Sequence, residues 1–205
     1  MNAVFRKAIA KDAPGVADVY LASRQAFLSF APLAHSDEEV RQWVTDSLIP
    51  SGGVTVASSN NEVIGMMALS RDEQIDWIDQ LYLHPAAVGC GIGTRLLELA
   101  MQEAGSVIRL YTFQANTASR RFYERHGFRA IAFSDGLTNE EQCPDVLYEL
   151  NRNGYQAIRR GDLYSFICSR VALIRLPLDF ARHPMLFAFC PRVWISIESQ
   201  KKPDR

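Results

Sequence analysis

Residues 87–100 read AVGCGIGTRLLELA, three glycines in five positions running straight into an apolar helical pattern. Packing alone seldom needs flexible backbone against a helix start, whereas an anionic ligand can use it. The first-turn N–H groups of a helix have no intrahelical acceptor, and the helix dipole puts its positive end there. Gly89, Gly91 and Gly93 would let the chain turn tightly and bring main-chain N–H groups up to a diphosphate without Cβ clashes. The nucleotide P-loop is excluded, because it ends Gly-Lys-Ser/Thr and this loop ends Gly93-Thr94-Arg95. The dinucleotide fingerprint fails as well. Counted from Gly89 and Gly91 its third glycine falls on Thr94, and that motif opens a parallel βαβ unit instead of following an antiparallel run. Turn-making with no ligand stays open as the plainer use of these glycines.

Upstream of the loop, "IDWIDQLYL" (75–83) alternates as a strand, which puts Ile75, Trp77, Asp79, Leu81 and Leu83 on one face until His84-Pro85 stops it. "VTVA" (54–57) and "VIGMMAL" (63–69) read as two strands joined by a hairpin turn in "SSNN". Two helices precede them. The first opens with Asp12 as cap and Pro14 in its first turn, carrying Val16, Val19, Tyr20 and Phe27 on one face. The second opens at Ser36 with Glu39 as a capping box and buries Val40, Trp43, Val44 and Leu48. A short strand from Val4 to Ile9 leads the chain. Downstream, Ile92, Leu96, Leu97, Ala100 and Ala104 form a helical stripe closed by Gly105. "VIRLYTF" (107–113) is a strand, "NTASRRFYERH" (116–126) a helix ended by Gly127, and "FRAIAF" and "DVLYEL" complete the sheet. The order predicts an α/β domain with a mixed sheet.

The 205 residues carry a net charge of −1 that hides a split: residues 1–150 hold 12 Lys+Arg against 19 Asp+Glu, whereas 151–205 hold 10 against 4. Such a break predicts a domain over 1–150 and a basic C-terminal extension over 151–205, poorly ordered or otherwise distinct. The extension's apolar runs are interrupted by arginines, and Pro177, Pro184 and Pro191 cut it into short pieces. It reads as a lid, as a basic arm, or as an appended sequence without a selected role; the abrupt change of composition favours the last. No run approaches the roughly 20 apolar residues of a membrane span, and the polar start does not read as a secretory leader. Cys90, Cys143, Cys168 and Cys190 show no CxxC or Cys/His pairing, so free thiols, no metal and a cytoplasmic setting are expected.

"LYLHPAAVGCGIGTRLL" followed by "QANTASRRFYERHGF" resembles the GNAT superfamily of acetyl-CoA-dependent N-acetyltransferases. The first block is similar to its glycine-rich acyl-CoA loop, Arg/Gln-x-x-Gly-x-Gly/Ala. The second is similar to its Asn-x-x-Ala/Ser-x-x-Phe/Leu-Tyr-x-x-x-Gly-Phe helix, with Asn116, Ser119, Phe122, Tyr123, Gly127 and Phe128 in the matching places. One departure is Val88, which stands where the family carries a basic or amide residue. The resemblance spans about residues 4–150 and implies the acyl-CoA N-acyltransferase fold, a mixed, mostly antiparallel twisted sheet flanked by helices.

It further implies acetyl-CoA as acyl donor. Val88, Gly89, Cys90, Gly91, Ile92, Gly93 and Thr94 would line its diphosphate, with Asn116 and Ser119 nearby. Leu81, Tyr82 and Leu83 would present backbone groups to the pantetheine arm and thioester at a splay between strands. Arg95, Arg120 or Arg121 could compensate for Val88, although each also reads as an exposed helix arginine. Tyr123 is the expected general acid for the departing sulfur; packing is its alternative role. Asp79 is the candidate general base and His35 lies in the family's acceptor region. Glu140 and Glu141 could draw a cationic amine. The expected acceptor is a primary amine of a small molecule or peptide, in a monomer or homodimer, with no nucleic-acid role for so acidic a domain. A non-catalytic acyl-CoA-binding module is the rival reading.

Overall fold

The computed structural model describes residues 2–152, so the expected extension falls almost wholly outside the described residues. Seven strands form one sheet in the order β1-β2-β3-β4-β5-β7-β6. They are β1 (Val4–Lys7), β2 (Val54–Ser59), β3 (Glu62–Asp72), β4 (Ile75–Leu83), β5 (Val107–Phe113), β6 (Arg129–Ser134) and β7 (Asp145–Asn151). Every neighbouring pair is antiparallel except β4 and β5. Helices α1 (Ala13–Phe27) and α2 (Asp37–Trp43) cover one face; α3 (Ile92–Glu103) and α4 (Thr117–Arg125) cover the other. Among the described residues, no helix is long and apolar enough to cross a membrane.

Local chemistry explains most boundaries. Asn60 and Asn61 both take left-handed φ (51° and 66°), giving the two-residue turn whose twist matches a hairpin. Ser36 caps α2: its Oγ accepts from the Glu39 amide while the Glu39 carboxylate accepts from the Ser36 amide at 2.8 Å. α2 then widens into a π turn over Val44–Leu48, where the Ile49 amide reaches back to Val44 O. Gly127 has φ +89° and closes α4.

Three expectations change. Asp12 precedes α1 but does not cap it with its side chain. Its carboxylate instead accepts from Arg6, at 2.6 and 2.9 Å, and from the Ile9 amide. Phe27 is 45% exposed, because Arg24, one turn earlier, completes the buried stripe of α1. Ile75, Trp77, Asp79, Leu81 and Leu83 do not share a face. Opposite β4, Leu69 pairs with Ile78 and Ala68 with Gln80, which leaves Asp79 as an extra residue, a β-bulge. The bulge exchanges the two faces, so Ile78 packs in the same cluster as Leu81 and Leu83 while Tyr82 joins the α1 side.

Candidate functional site

The central irregularity of the sheet lies just upstream of the glycine loop. β4 and β5 pair in parallel only at Ile75–Val107, Asp76–Ile108 and Trp77–Arg109. Trp77 stacks on Tyr111 at this last rung, with ring centroids 5.8 Å apart and planes 9° apart. Beyond it β4 stays with β3 and β5 stays with β7, so the two strands part and residues 78–83 have no strand partner on the β5 side. The Asp79 bulge sits where they separate. Leu81 and Leu83 direct their side chains into the α3 core, which leaves their main chain as the part facing this gap.

β4 runs out of the splay into His84, whose Nδ1 accepts from the Ala86 amide and starts a single 3-10 turn over Pro85–Ala87. Val88, Gly89, Cys90 and Gly91 follow, all exposed. Gly89 and Gly91 have φ of +81° and +80°, and a Cβ on either would meet nothing within 4 Å. Their backbone is therefore open to solvent on the side where a Cβ would stand. Gly93 differs: it is helical and buried, and a Cβ there would lie 3.4 Å from Leu83 and 3.7 Å from Phe122. These are ordinary van der Waals distances, so the packing of α3 on β4 and α4 would admit a methyl group there. No side chain caps α3, and the Arg95 amide is the first in this turn to bond back, to Gly91 O at 3.1 Å. The amides before it point out of the helix start, as an anion would require. Ile92 is buried, Thr94 half-buried, and the Cys90 thiol leans toward Val88 O.

α4 brings Tyr123 toward the splay from the α3 side. Its ring is buried among Phe122, Phe128 and Tyr148, and burial raises the phenol's pKa, with Tyr82 adding to the effect. The phenol thus keeps its proton across the neutral range. Asn116 spends its Oδ1 on the Ser119 amide at 3.1 Å, capping α4. Of the arginines considered as substitutes at position 88, Arg95 pairs with Glu98 on its own helix. Arg120 bonds Tyr148 Oη and Gln114 O.

The opposite side of the splay holds a group that the sequence reading missed. Arg24 of α1 is fully buried and donates to Glu141 Oε1 at 3.0 Å, with the two side chains only 1% and 7% exposed. The phenols of Tyr20 and Tyr82 face this pair, their rings 4.8 Å apart edge to face, and the guanidinium lies 5.8 Å over the Tyr20 ring. Burial raises both phenols and would lower Arg24. Tyr82, Tyr20 and Glu141 together keep Arg24 charged. Burial also pushes the Glu141 carboxyl up, opposed by the Arg24 guanidinium beside it. Glu141 was expected to attract a cation from solution, but the fold already supplies one. The signal was an arginine one turn after Tyr20 on an apolar helix stripe.

Glu140 faces outward and meets His35 at 3.2 Å, which ties the β6–β7 loop to the α1–α2 loop. That loop is held by buried Asn139, whose amide donates to Cys143 O and Asp145 Oδ2. The structure thus places Asp79, Leu81, Tyr82 and Leu83 on the splayed strand that leads into the glycine loop, Tyr123 on α4 within electrostatic reach of Tyr82, and His35, Glu140 and Glu141 on the α1 side of the sheet.

Residues 18–128, over half of the chain, match the acetyltransferase (GNAT) family. No curated protein matches the sequence. Solved structures share the fold. PaiA N-acetyltransferase from Thermoplasma acidophilum, in complex with coenzyme A, is 20% identical, with 74% of this chain and 99% of that one covered at a TM-score of 0.59. YncA from Salmonella typhimurium, with its cofactor acetyl-CoA, is 21% identical, with 74% and 95% covered at 0.58. The ribosomal-protein-S18-alanine N-acetyltransferase from Escherichia coli is 15% identical, with 73% and 94% covered at 0.56.

Proposed function

We propose, for a chain that belongs to the acetyltransferase (GNAT) family and is thereby an acyltransferase, that it moves an acetyl group from acetyl-CoA to a primary amine of a small molecule or peptide within a ternary complex. The observation that carries this reading is an open glycine loop leading from a splayed strand pair into a helix start that no side chain caps. Coenzyme A in PaiA and acetyl-CoA in YncA, proteins of the same fold, support the donor. Residues 1–150 form the catalytic domain in this reading, and 151–205 an extension to it.

Acetyl-CoA supplies an acyl group activated as a thioester. The main-chain N–H groups of residues 89–94 hold its diphosphate, and Val88 leaves that task to them alone. The backbone of Leu81 and Leu83, free of a strand neighbour on the β5 side, hydrogen-bonds the pantetheine arm and polarises the acyl carbonyl, the kind of preorganised donor that often supplies the largest catalytic share. Fixing both reactants beside one strand supplies much of the remainder. Asp79, at the bulge where β4 leaves β5, receives the proton of the acceptor amine. Tyr123, kept protonated by its burial, gives a proton to the departing sulfur.

Thiol release from acetyl-CoA, measured over a panel of primary amines, tests the reading. Tyr123→Phe is expected to lower kcat about 100-fold while leaving acetyl-CoA affinity and melting temperature unchanged, a loss typical of a removed general acid. Coenzyme A binding without turnover of any amine would move the assignment to a non-catalytic acyl-CoA-binding module.

A further inference from the structure

The buried ion pair beside the splay leaves one strong acceptor atom unused. Arg24 donates to Glu141 Oε1, but Oε2 is buried and has no hydrogen-bond partner, on a side chain only 7% exposed. A buried carboxylate oxygen without a donor costs on the order of 1–3 kcal/mol or more, so natural proteins rarely keep one without a use. Tyr20 and Tyr82 lie close by, yet their phenols are oriented to Arg24 and to each other. A second buried oxygen, Gln80 Oε1, is also unpartnered, and Gln80 neighbours Tyr82 on the same face of β4. Two buried acceptor oxygens thus stand on the α1 side of the splay.

Charge decides which donor fits. Arg24 already neutralises Glu141, and both phenols are uncharged, so the cluster is electrically balanced. An incoming ammonium would add an uncompensated positive charge beside a buried guanidinium, which is costly. A hydroxyl or amide N–H adds none. Distance decides which part of the acceptor it is. Glu141 interacts with the Tyr82 side chain on the α1 side of β4, whereas the reading above lays the thioester along the β4 backbone, so a group held by Glu141 is remote from the reacting nitrogen.

We infer that the acceptor carries, some bonds away from the amine that is acetylated, a neutral hydrogen-bond donor that binds Glu141 Oε2. This rests on the acetyltransferase reading above and adds a substrate class to it: amines bearing a remote hydroxyl or amide N–H. Glu141 is in this sense a specificity residue and takes no part in proton transfer.

Matched primary amines test it in the full-length chain. One arm pairs ω-amino alcohols of three to six carbons with their O-methyl ethers; a second pairs ω-amino amides with their N,N-dimethyl forms; a third uses the α,ω-diamines. The wild type is expected to favour the donor-bearing member at one chain length by tenfold or more in kcat/KM, and to use the diamine less well than the alcohol. Whichever of the first two arms shows the preference identifies hydroxyl or amide as the source. In Glu141→Gln the amide oxygen must serve Arg24 and the amide nitrogen faces the acceptor. The preference should collapse to within about twofold through KM, measured on protein that circular dichroism shows to be folded, because this variant leaves the buried Arg24 guanidinium without its carboxylate and lowers the melting temperature. Equal use of both members of every pair overturns the inference, as does a preferred diamine or a preference that survives Glu141→Gln. Absence of turnover overturns it too, and acetyl-CoA titration calorimetry on the same sample then shows whether the acetyltransferase reading falls with it.

Discussion

Gly91→Ala, compared with Gly52→Ala, separates the backbone role of the glycine loop from its ligand role. The two glycines have φ of +80° and +77°, and a Cβ at either meets nothing within 4 Å, so the folded chain suffers the same insult at both. Holding a non-glycine residue in the left-handed region costs about 1–2 kcal/mol. For a unit of this size that lowers the melting temperature by roughly 2–4 °C per kcal/mol. Gly52 precedes Gly53, which abuts Leu69, whereas the loop follows Leu83, which pairs with Gly65 several rungs away along β3. Only the Gly91 methyl group stands at the start of α3, where the proposed diphosphate binds. Pushing a diphosphate off one or two charge-assisted hydrogen bonds loses about 1.5–3 kcal/mol, a rise in Kd of roughly 10- to 100-fold. Coenzyme A at 100 times the wild-type Kd stabilises wild type and Gly52→Ala by about 2.7 kcal/mol; with a 30-fold weaker Kd, Gly91→Ala gains only about 0.9 kcal/mol. Titration calorimetry and thermal unfolding with and without coenzyme A read these values. If Gly91→Ala binds coenzyme A within twofold of Gly52→Ala, the loop is a turn and nothing more.

Two other outcomes follow from buried charge. Arg24→Met strands the Glu141 carboxylate and should cost about 3–5 kcal/mol in urea unfolding, whereas Arg24→Met with Glu141→Gln should recover part of that loss; additive effects would mean that the pair is not coupled. Hydrogen bonds from Arg6 hold the Asp12 carboxyl below its ordinary value of 3.8. Burial would raise Asp76, but Arg71 and the Gly105 amide at 2.7 Å bring it below the same value. A depressed folded pKa stabilises fully above the unfolded value and ceases to do so as pH falls through the folded one. The melting temperature should therefore drop steeply below about pH 4, and less steeply in Asp76→Asn; parallel slopes would count against this assignment.

The elements were legible because each carries a local signal. Asn60-Asn61 predicted its own turn, Ser36 and Glu39 their own cap, and the stripes of α2 and α3 are buried as their periodicity requires. The glycine loop was legible for the same reason, except that Gly93 is a buried helical residue and not part of the open backbone. What sequence could not show was long-range pairing. Nothing between Ile75 and Leu83 announces an unpaired residue, since a bulge is defined by the partner strand, and strict alternation then assigned half of β4 to the wrong face. Arg24 was invisible as a site residue because its carboxylate lies 117 positions away. The extension at 151–205 falls almost wholly outside the described residues, and its proposed separateness rests on composition.

The odd residue in β4 makes the strand's length matter more than its letters. Almost any side chain could occupy position 79 and still leave Tyr82 toward one helical layer and Leu83 toward the other. Removing that single position would swap every downstream side chain across the sheet, sending a phenol into the aliphatic layer and leucines toward a guanidinium. A one-residue deletion in this segment should thus be among the least tolerated changes in the domain, costlier to the fold than a substitution at position 79.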